Sequence, residues 1–196
     1  MNLSTRPYRM TARAEAVAET RQRIVAAAVA LHFERLASDI SLVDVAAAAG
    51  VSVQTVLRHF GSRDGLFAAA EEWATREIER ERRSEPGDVP GAIRAIVEHY
   101  ELRGDGVLLL LAQEAFQPFA ARLTAQGRAM HRRWAEEVFG PLLPAGPDAE
   151  ARLDLLVVAT DVYTWKLLRR DRGLSVRTTG ERMEMLVRAV LAQPSG

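Results

Sequence analysis

Apolar residues recur at three- and four-residue spacing along nearly the whole chain, and that period predicts helices. Over 12–37, Ile24, Ala27, Ala28, Leu31 and Phe33 form one such stripe, with charges between them. Two short segments follow. Ser41 with Asp44 three residues on is a capping-box-like start, and Gly50 suits the left-handed position that ends a helix. Ser52 is the N-cap candidate for the next segment, which runs to Phe60. Gly61-Ser62 resets the chain, and Leu66, Phe67, Ala70, Ala74 and Ile78 line a longer helix. SEPGDVPG (84–91) is a break. A helix over 90–102, a turn at RGDG (103–106) and a buried helix through VLLLLAQEAF are expected next, with Pro118 bending or ending the last. Further helices are expected over 120–139, 148–170 and 179–192, with a loop at 140–147. No segment alternates with period two over a useful length, and no internal repeat is visible. The fold class is all-α.

The two short segments carry the chemistry. On a helical wheel, Val53, Val56 and Phe60 fall on one side of the segment 53–60, while Gln54, Thr55 and Arg58 fall on the other. Leu42, Val45, Ala46 and Ala49 of the preceding segment can pack beneath it, and its alanines permit close approach. Two short helices joined by a glycine turn make a helix-turn-helix, which presents the start of its second helix to a DNA major groove. Glutamine can pair bidentately with adenine and arginine with guanine, and the methyls of Val53 and Thr55 suit thymine. His59 and Arg63 are placed for the phosphate backbone, to which helix N-terminal amides also donate, and Ser41 is a further DNA-binding candidate. Taken singly, Gln54, Thr55 and Arg58 make an ordinary solvated face, and His59 a packing residue beside Phe60. The combination is far more specific.

Net charge is zero, from 26 Lys and Arg against 26 Asp and Glu. Its distribution is uneven, because Arg6, Arg9, Arg13, Arg21 and Arg23 stand against only Glu15 and Glu19 at the start. This basic arm is either a DNA-backbone or minor-groove contact or a simple tail. There is no cysteine, which removes disulfides, thiol catalysis and thiolate metal sites and fits a reducing cytoplasm. No apolar run approaches the roughly 18 residues of a membrane span, and no signal-peptide h-region opens the chain. No nucleophile motif, phosphate loop or paired-carboxylate signature stands out. His99 and His131 have no partner at metal-ligand spacing, so neither a metal nor a cofactor is expected.

The segment VDVAAAAGVSVQTVLRHFGSRDGLFAAA resembles the DNA-binding domain of TetR-family transcriptional regulators, and ETRQRIVAAAVALHFE resembles that family's first helix. Together they cover about residues 20–70. The resemblance implies a homodimer that binds double-stranded operator DNA, usually represses, and holds a small-molecule effector in its C-terminal helices. It places Ser52, Val53, Gln54, Thr55, Arg58 and His59 in the DNA-reading segment, and Arg63 where the family often has a phosphate-binding lysine. Leu57 stands where an aromatic hydroxyl is usual, which leaves an apolar contact in place of a phosphate hydrogen bond. The alternative is a helical small-molecule-binding protein with a vestigial DNA face.

The division expected is a helix-turn-helix domain with its basic arm over 1–65 and an effector-binding and dimerisation domain over 66–196. Pocket candidates combine an apolar body with a polar tip, or supply a large ring: Trp73, His99, Tyr100, Gln113, Phe116, His131, Trp134 and Tyr163. With few fixed charges among them, they suggest an uncharged or weakly polar, aromatic-sized effector. The segment 148–170 carries two apolar stripes. One is Leu153, Leu156, Val157, Thr160 and Leu167. The other, Leu155, Val158, Val162 and Trp165, joins Met183, Leu186, Val187, Val190 and Leu191 of the last helix as the expected dimer face. One large monomeric core is the competing reading.

Overall fold

The computed structural model describes residues 5–35, 39–146 and 148–193, without the side chains of 5–13. The backbone of Arg6, Arg9 and Arg13 in the basic arm is helical, and their side chains lie outside what is described. Among them the chain is helical, with no strand. It forms two compact units, Met1–Arg76 and Glu77–Gly196.

The first unit contains α1 (Thr5–Glu34), α2 (Leu42–Ala48), α3 (Val53–Phe60) and most of α4 (Arg63–Glu81). Its core is Ile24, Val25, Ala28 and Leu31 of α1, Val45 and Ala46 of α2, Val56 of α3, and Leu66, Phe67 and Ala70 of α4. Trp73 and Ala74 pack against that cluster. These contacts carry the unit past residue 65 to Arg76.

Ser41 caps α2 through a capping box with Asp44, as its spacing predicts. Ser52 caps α3, its Oγ accepting from the Thr55 amide at 3.1 Å. Gly50 at φ 65° and Gly61 at φ 74° bracket α3 in the left-handed region that favours glycine.

The second unit holds α5 (Val89–Gln113), α6 (Pro118–Phe139), α7 (Asp148–Ala159), α8 (Val162–Lys166) and α9 (Val176–Leu191). A 3₁₀ turn at Gly140–Leu142 and a π turn at Leu167–Asp171 connect some of them. Three sequence expectations fail here. RGDG is not a turn, and α5 runs straight through it. A Cβ on Gly104 would stand 2.5 Å from Cζ3 of Trp165, so this glycine lets a fully buried indole lie against the helix backbone. Arg103 and Asp105 beside it are held in ion pairs with Glu81 and Arg170. Second, the segment 148–170 is not one helix. Asp161 accepts from the Tyr163 amide at 2.8 Å and starts α8 afresh, while the Thr160 hydroxyl turns back to the Leu156 carbonyl at 2.7 Å. Third, Pro118 neither bends nor ends a helix. α5 ends at Gln113, and Pro118 opens α6, where its missing N–H costs nothing.

The core of this unit is Ile93, Ile96, Val97 and Tyr100 on α5, Trp134, Val138 and Phe139 on α6, Leu153 and Leu156 on α7, Val162 and Trp165 on α8, and Met183 and Val187 on α9. That list corrects the expected dimer face. Val162, Trp165, Met183 and Val187 are buried in their own chain, and Val190 and Leu191 pack against the same cluster. Leu155, Val158 and Leu186 stay exposed, as does Met185. On the other stripe Leu167 is exposed rather than buried.

Candidate DNA-reading helix and ligand cleft

The geometry of α3 follows from its caps. Val56 is fully buried, and Val53 and Phe60 pack against the core on the same side. Arg21 of α1 lies 5.0 Å from the centre of the Phe60 ring, a cation–π contact that ties the end of α3 to α1. Gln54 and Arg58, one turn apart, are exposed on the opposite side. Thr55 is half-buried, and its hydroxyl lies 3.0 Å from that of Ser52, so it belongs partly to the cap. Leu57 and His59 are half-buried flanks. The Ser41 hydroxyl is held by Asp44. Arg63 donates from Nη2 to the Ile40 carbonyl at 3.2 Å and lies over Phe67, 4.4 Å from the ring centre. The helix therefore offers two long, hydrogen-bonding side chains to solvent from a short, doubly bracketed segment.

The eight pocket candidates separate. Trp73 belongs to the first unit, and Phe116 and Tyr163 are exposed. Gln113 is buried, with Nε2 donating back to the Leu109 carbonyl at 2.8 Å. His99, Tyr100, His131 and Trp134 do come together around the α7–α8 break. Tyr100 donates to the Thr160 carbonyl at 3.1 Å, and Thr160 Oγ1 lies 3.2 Å from His131 Nε2. His131 stacks on Trp134 with 5.5 Å between ring centres. Trp134 Nε1 donates to the Arg82 carbonyl at 2.8 Å.

Sequence reasoning missed Arg82. It sits in the charged run ERERRSE, which reads as solvated. The turn after α4 is instead pinned, with the Gly87 amide donating to the Val138 carbonyl of α6 at 2.7 Å. Arg82 is left 8% exposed, with its guanidinium carbon 5.6 Å from the centre of the Tyr100 ring. Burial pushes its pKa below the usual arginine range.

Burial also drops the pKa values of His99 and His131 to about 4, and the charge of Arg82 adds to both effects. Both rings are therefore neutral at pH 7. His99 Nδ1 donates to Glu81 Oε2 at 2.7 Å, so its proton is on Nδ1. For Glu81, burial works against ionisation, but hydrogen bonds from His99 and from Arg103 hold its pKa at about 2. Because His99 is neutral, Arg103 supplies the charge partner and His99 a hydrogen bond.

Beside Arg82 a cleft of about 290 Å³ opens between the end of α4 and α6. Arg83, Arg133, Glu79 and Glu137 bring further charge to it, and Met130, Trp134 and Val138 form an apolar wall. Among the described residues, no group of three or more His, Asp or Glu side chains is placed to hold a metal ion, and no helix is long and apolar enough to cross a membrane.

These features define a class: helical proteins with a helix-turn-helix unit followed by a separate helical unit. Residues 24–70 match the family described as bacterial regulatory proteins, tetR family. Those residues are therefore a DNA-binding domain of the tetR-family type. Solved structures share the fold over most of the length. A transcriptional regulator from Rhodococcus sp. Rha1 is 20% identical over 87% of this chain and 95% of its own, with a TM-score of 0.63. A tetR-family transcriptional regulator from Streptomyces coelicolor is 21% identical over 89% of each chain, with a TM-score of 0.61. A multidrug binding protein, EbrR, complexed with imidazole, is 21% identical over 91% of this chain and 93% of its own, with a TM-score of 0.53. At these identities the likeness is one of fold. The curated proteins yield no match.

Proposed function

We propose that this protein is a homodimeric, ligand-responsive repressor that works in the cytoplasm and leaves its operator when a small molecule binds. It acts by binding, not by catalysis. The observation that carries the reading is α3: Gln54 and Arg58 stand exposed one turn apart on a helix fixed by a Ser52 cap and two left-handed glycines. A dimer would set two such helices in successive major grooves, roughly 34 Å or a multiple apart. Leu155 and Val158 of α7 with Leu186 of α9 are exposed apolar positions suited to that pairing.

The second unit supplies the effector site. α4 starts at Arg63, directly after the reading helix, and ends at Glu81, next to Arg82. A ligand that shifts the end of α4 acts on the element that leads from the reading helix. Its effect is limited to its differential affinity for the two arrangements, typically about 1–3 kcal/mol. Support for a ligand of this kind comes from the EbrR structure, whose protein binds drugs and which holds imidazole.

The test is a gel-shift with the DNA upstream of the protein's own gene. The wild type should retard it, and Arg58→Ala should bind roughly 1–3 kcal/mol more weakly with relaxed sequence preference. Retardation that is indifferent to DNA sequence in the wild type would refute sequence-specific reading. A variant indistinguishable from wild type would remove Arg58 from it.

A further inference from the structure

The cleft beside Arg82 has an unusual electrostatic composition. Three arginines line it, Arg82, Arg83 and Arg133, against two glutamates, Glu79 and Glu137, and among the described residues no side-chain hydrogen bond or ion pair joins any of the three arginines to a carboxylate. Arg82 is the informative one. The residue as a whole is 8% exposed, and its Nε is buried without a partner. An arginine stays protonated in a protein, and a buried charge with no counter-ion is strongly unfavourable. The face of Tyr100 offsets only part of this. Glu81, its chain neighbour, is already engaged by Arg103 and His99. Asp161, whose charge Arg82 feels, is turned to the Tyr163 amide.

The surroundings say what kind of counter-ion fits. The two histidines behind Arg82 are neutral, so they add no positive charge that would draw in a multivalent anion. Each also keeps a bare ring nitrogen, His99 Nε2 and His131 Nδ1, buried without a partner. Trp134, Met130 and Val138 give the cleft an apolar surface beside the charged side chains. A single negative head group attached to an apolar body would meet both halves. A guanidinium with free donors matches the planar carboxylate.

We propose that this cleft binds a small organic carboxylate, with its head on Arg82 and its apolar body on Trp134. This rests on the reading of the second unit as the effector-binding unit, and it replaces the uncharged or weakly polar effector expected from sequence with an acid.

The experiment is thermal denaturation and calorimetric titration of the full chain with benzoate, phenylacetate and octanoate, each beside its own amide, and with inorganic phosphate. At least one carboxylate should raise Tm and bind about tenfold or more tighter than its amide, the scale of one charge-assisted hydrogen bond. In Arg82→Met, which fills the space without a charge, that preference should vanish while the protein stays folded. Arg82→Lys should keep part of it. Arg133→Gln, on the exposed side of the cleft, should weaken carboxylate binding severalfold without altering Tm. The proposal is overturned if no carboxylate is preferred over its amide, if the preference survives Arg82→Met, if Arg82→Met alone unfolds the chain, or if phosphate binds as tightly as the best carboxylate. No DNA is present in these measurements. A chain that ignores its operator but prefers carboxylates would refute the repressor and leave this site, and the reverse outcome would do the opposite.

Discussion

At the scale of single residues, His99 and His131 set a pH limit on the protein. Both are buried and neutral, and their folded pKa values of about 4 lie below the 6.5 of an unfolded histidine. Between those values the unfolded chain binds more protons, so stability falls as pH drops from about 6.5 toward 4. At about 1.4 kcal/mol per pKa unit, the loss is on the order of 3 kcal/mol for each ring. Glu81 acts lower down. Its folded pKa of about 2 lies below the usual 4.5, and its contribution disappears as pH falls through that interval. Urea denaturation at pH 7, 5.5 and 4.5 should show a midpoint that drops steadily. A midpoint constant over that range would mean the two imidazoles are not held neutral. The histidines themselves were visible in the sequence as amphipathic residues in apolar helices. Arg82 was not, because it is covered by residues far along the chain such as Tyr100 and Trp134, and a run of arginines and glutamates looks solvated in one dimension.

The helices divide the same way. α2 and α3 were legible to the residue because their signals are local: Ser41 with Asp44, Ser52, Gly50 and Gly61 all act within four positions of their targets. The continuity of α5 was not legible, because Gly104 answers to Trp165, far along the chain. That contact makes a paired prediction. Gly104→Ala should destabilise by about 1–2 kcal/mol, since overpacking against the fully buried indole outweighs the roughly 1 kcal/mol that alanine brings to a helix interior. Gly127→Ala, at a mid-α6 position with no atom within 4 Å of the new methyl, should stabilise by roughly 0.5–1 kcal/mol. Chemical denaturation of the two variants separates the readings. A stabilised Gly104→Ala would show that RGDG has room after all. The break between α7 and α8 was hidden for a similar reason. Asp161 sits inside a stripe of helical period, and a capping aspartate there looks the same as a solvated one.

For the whole molecule, the core list redirects the question of assembly. Charge placed at Val187 would strike a side chain with no exposure at all and would report on folding, not pairing. Leu155, Val158 and Leu186 are 45%, 61% and 46% exposed, so glutamates there leave the monomer core intact. We expect the wild type to have the mass of two chains by light scattering at micromolar concentration. Val158→Glu with Leu186→Glu should halve it, keep the helical circular dichroism, and abolish operator retardation, because one reading helix alone gives up half of the contacts. A wild type with the mass of one chain would dispose of the dimer. The family domain was readable from 24–70 alone, whereas the split between core and exposed positions on α7 to α9 depends on how those helices turn.

The contact between Gly104 and Trp165 also bears on how such a sequence can drift. A larger residue at 104 is admissible only after the indole has given way to something smaller, and a smaller residue at 165 opens a void that a side chain at 104 can fill. Each change alone carries a penalty that the other removes. Descendants of this chain should therefore alter the two positions together or not at all, a linked pair of sites inherited as one choice.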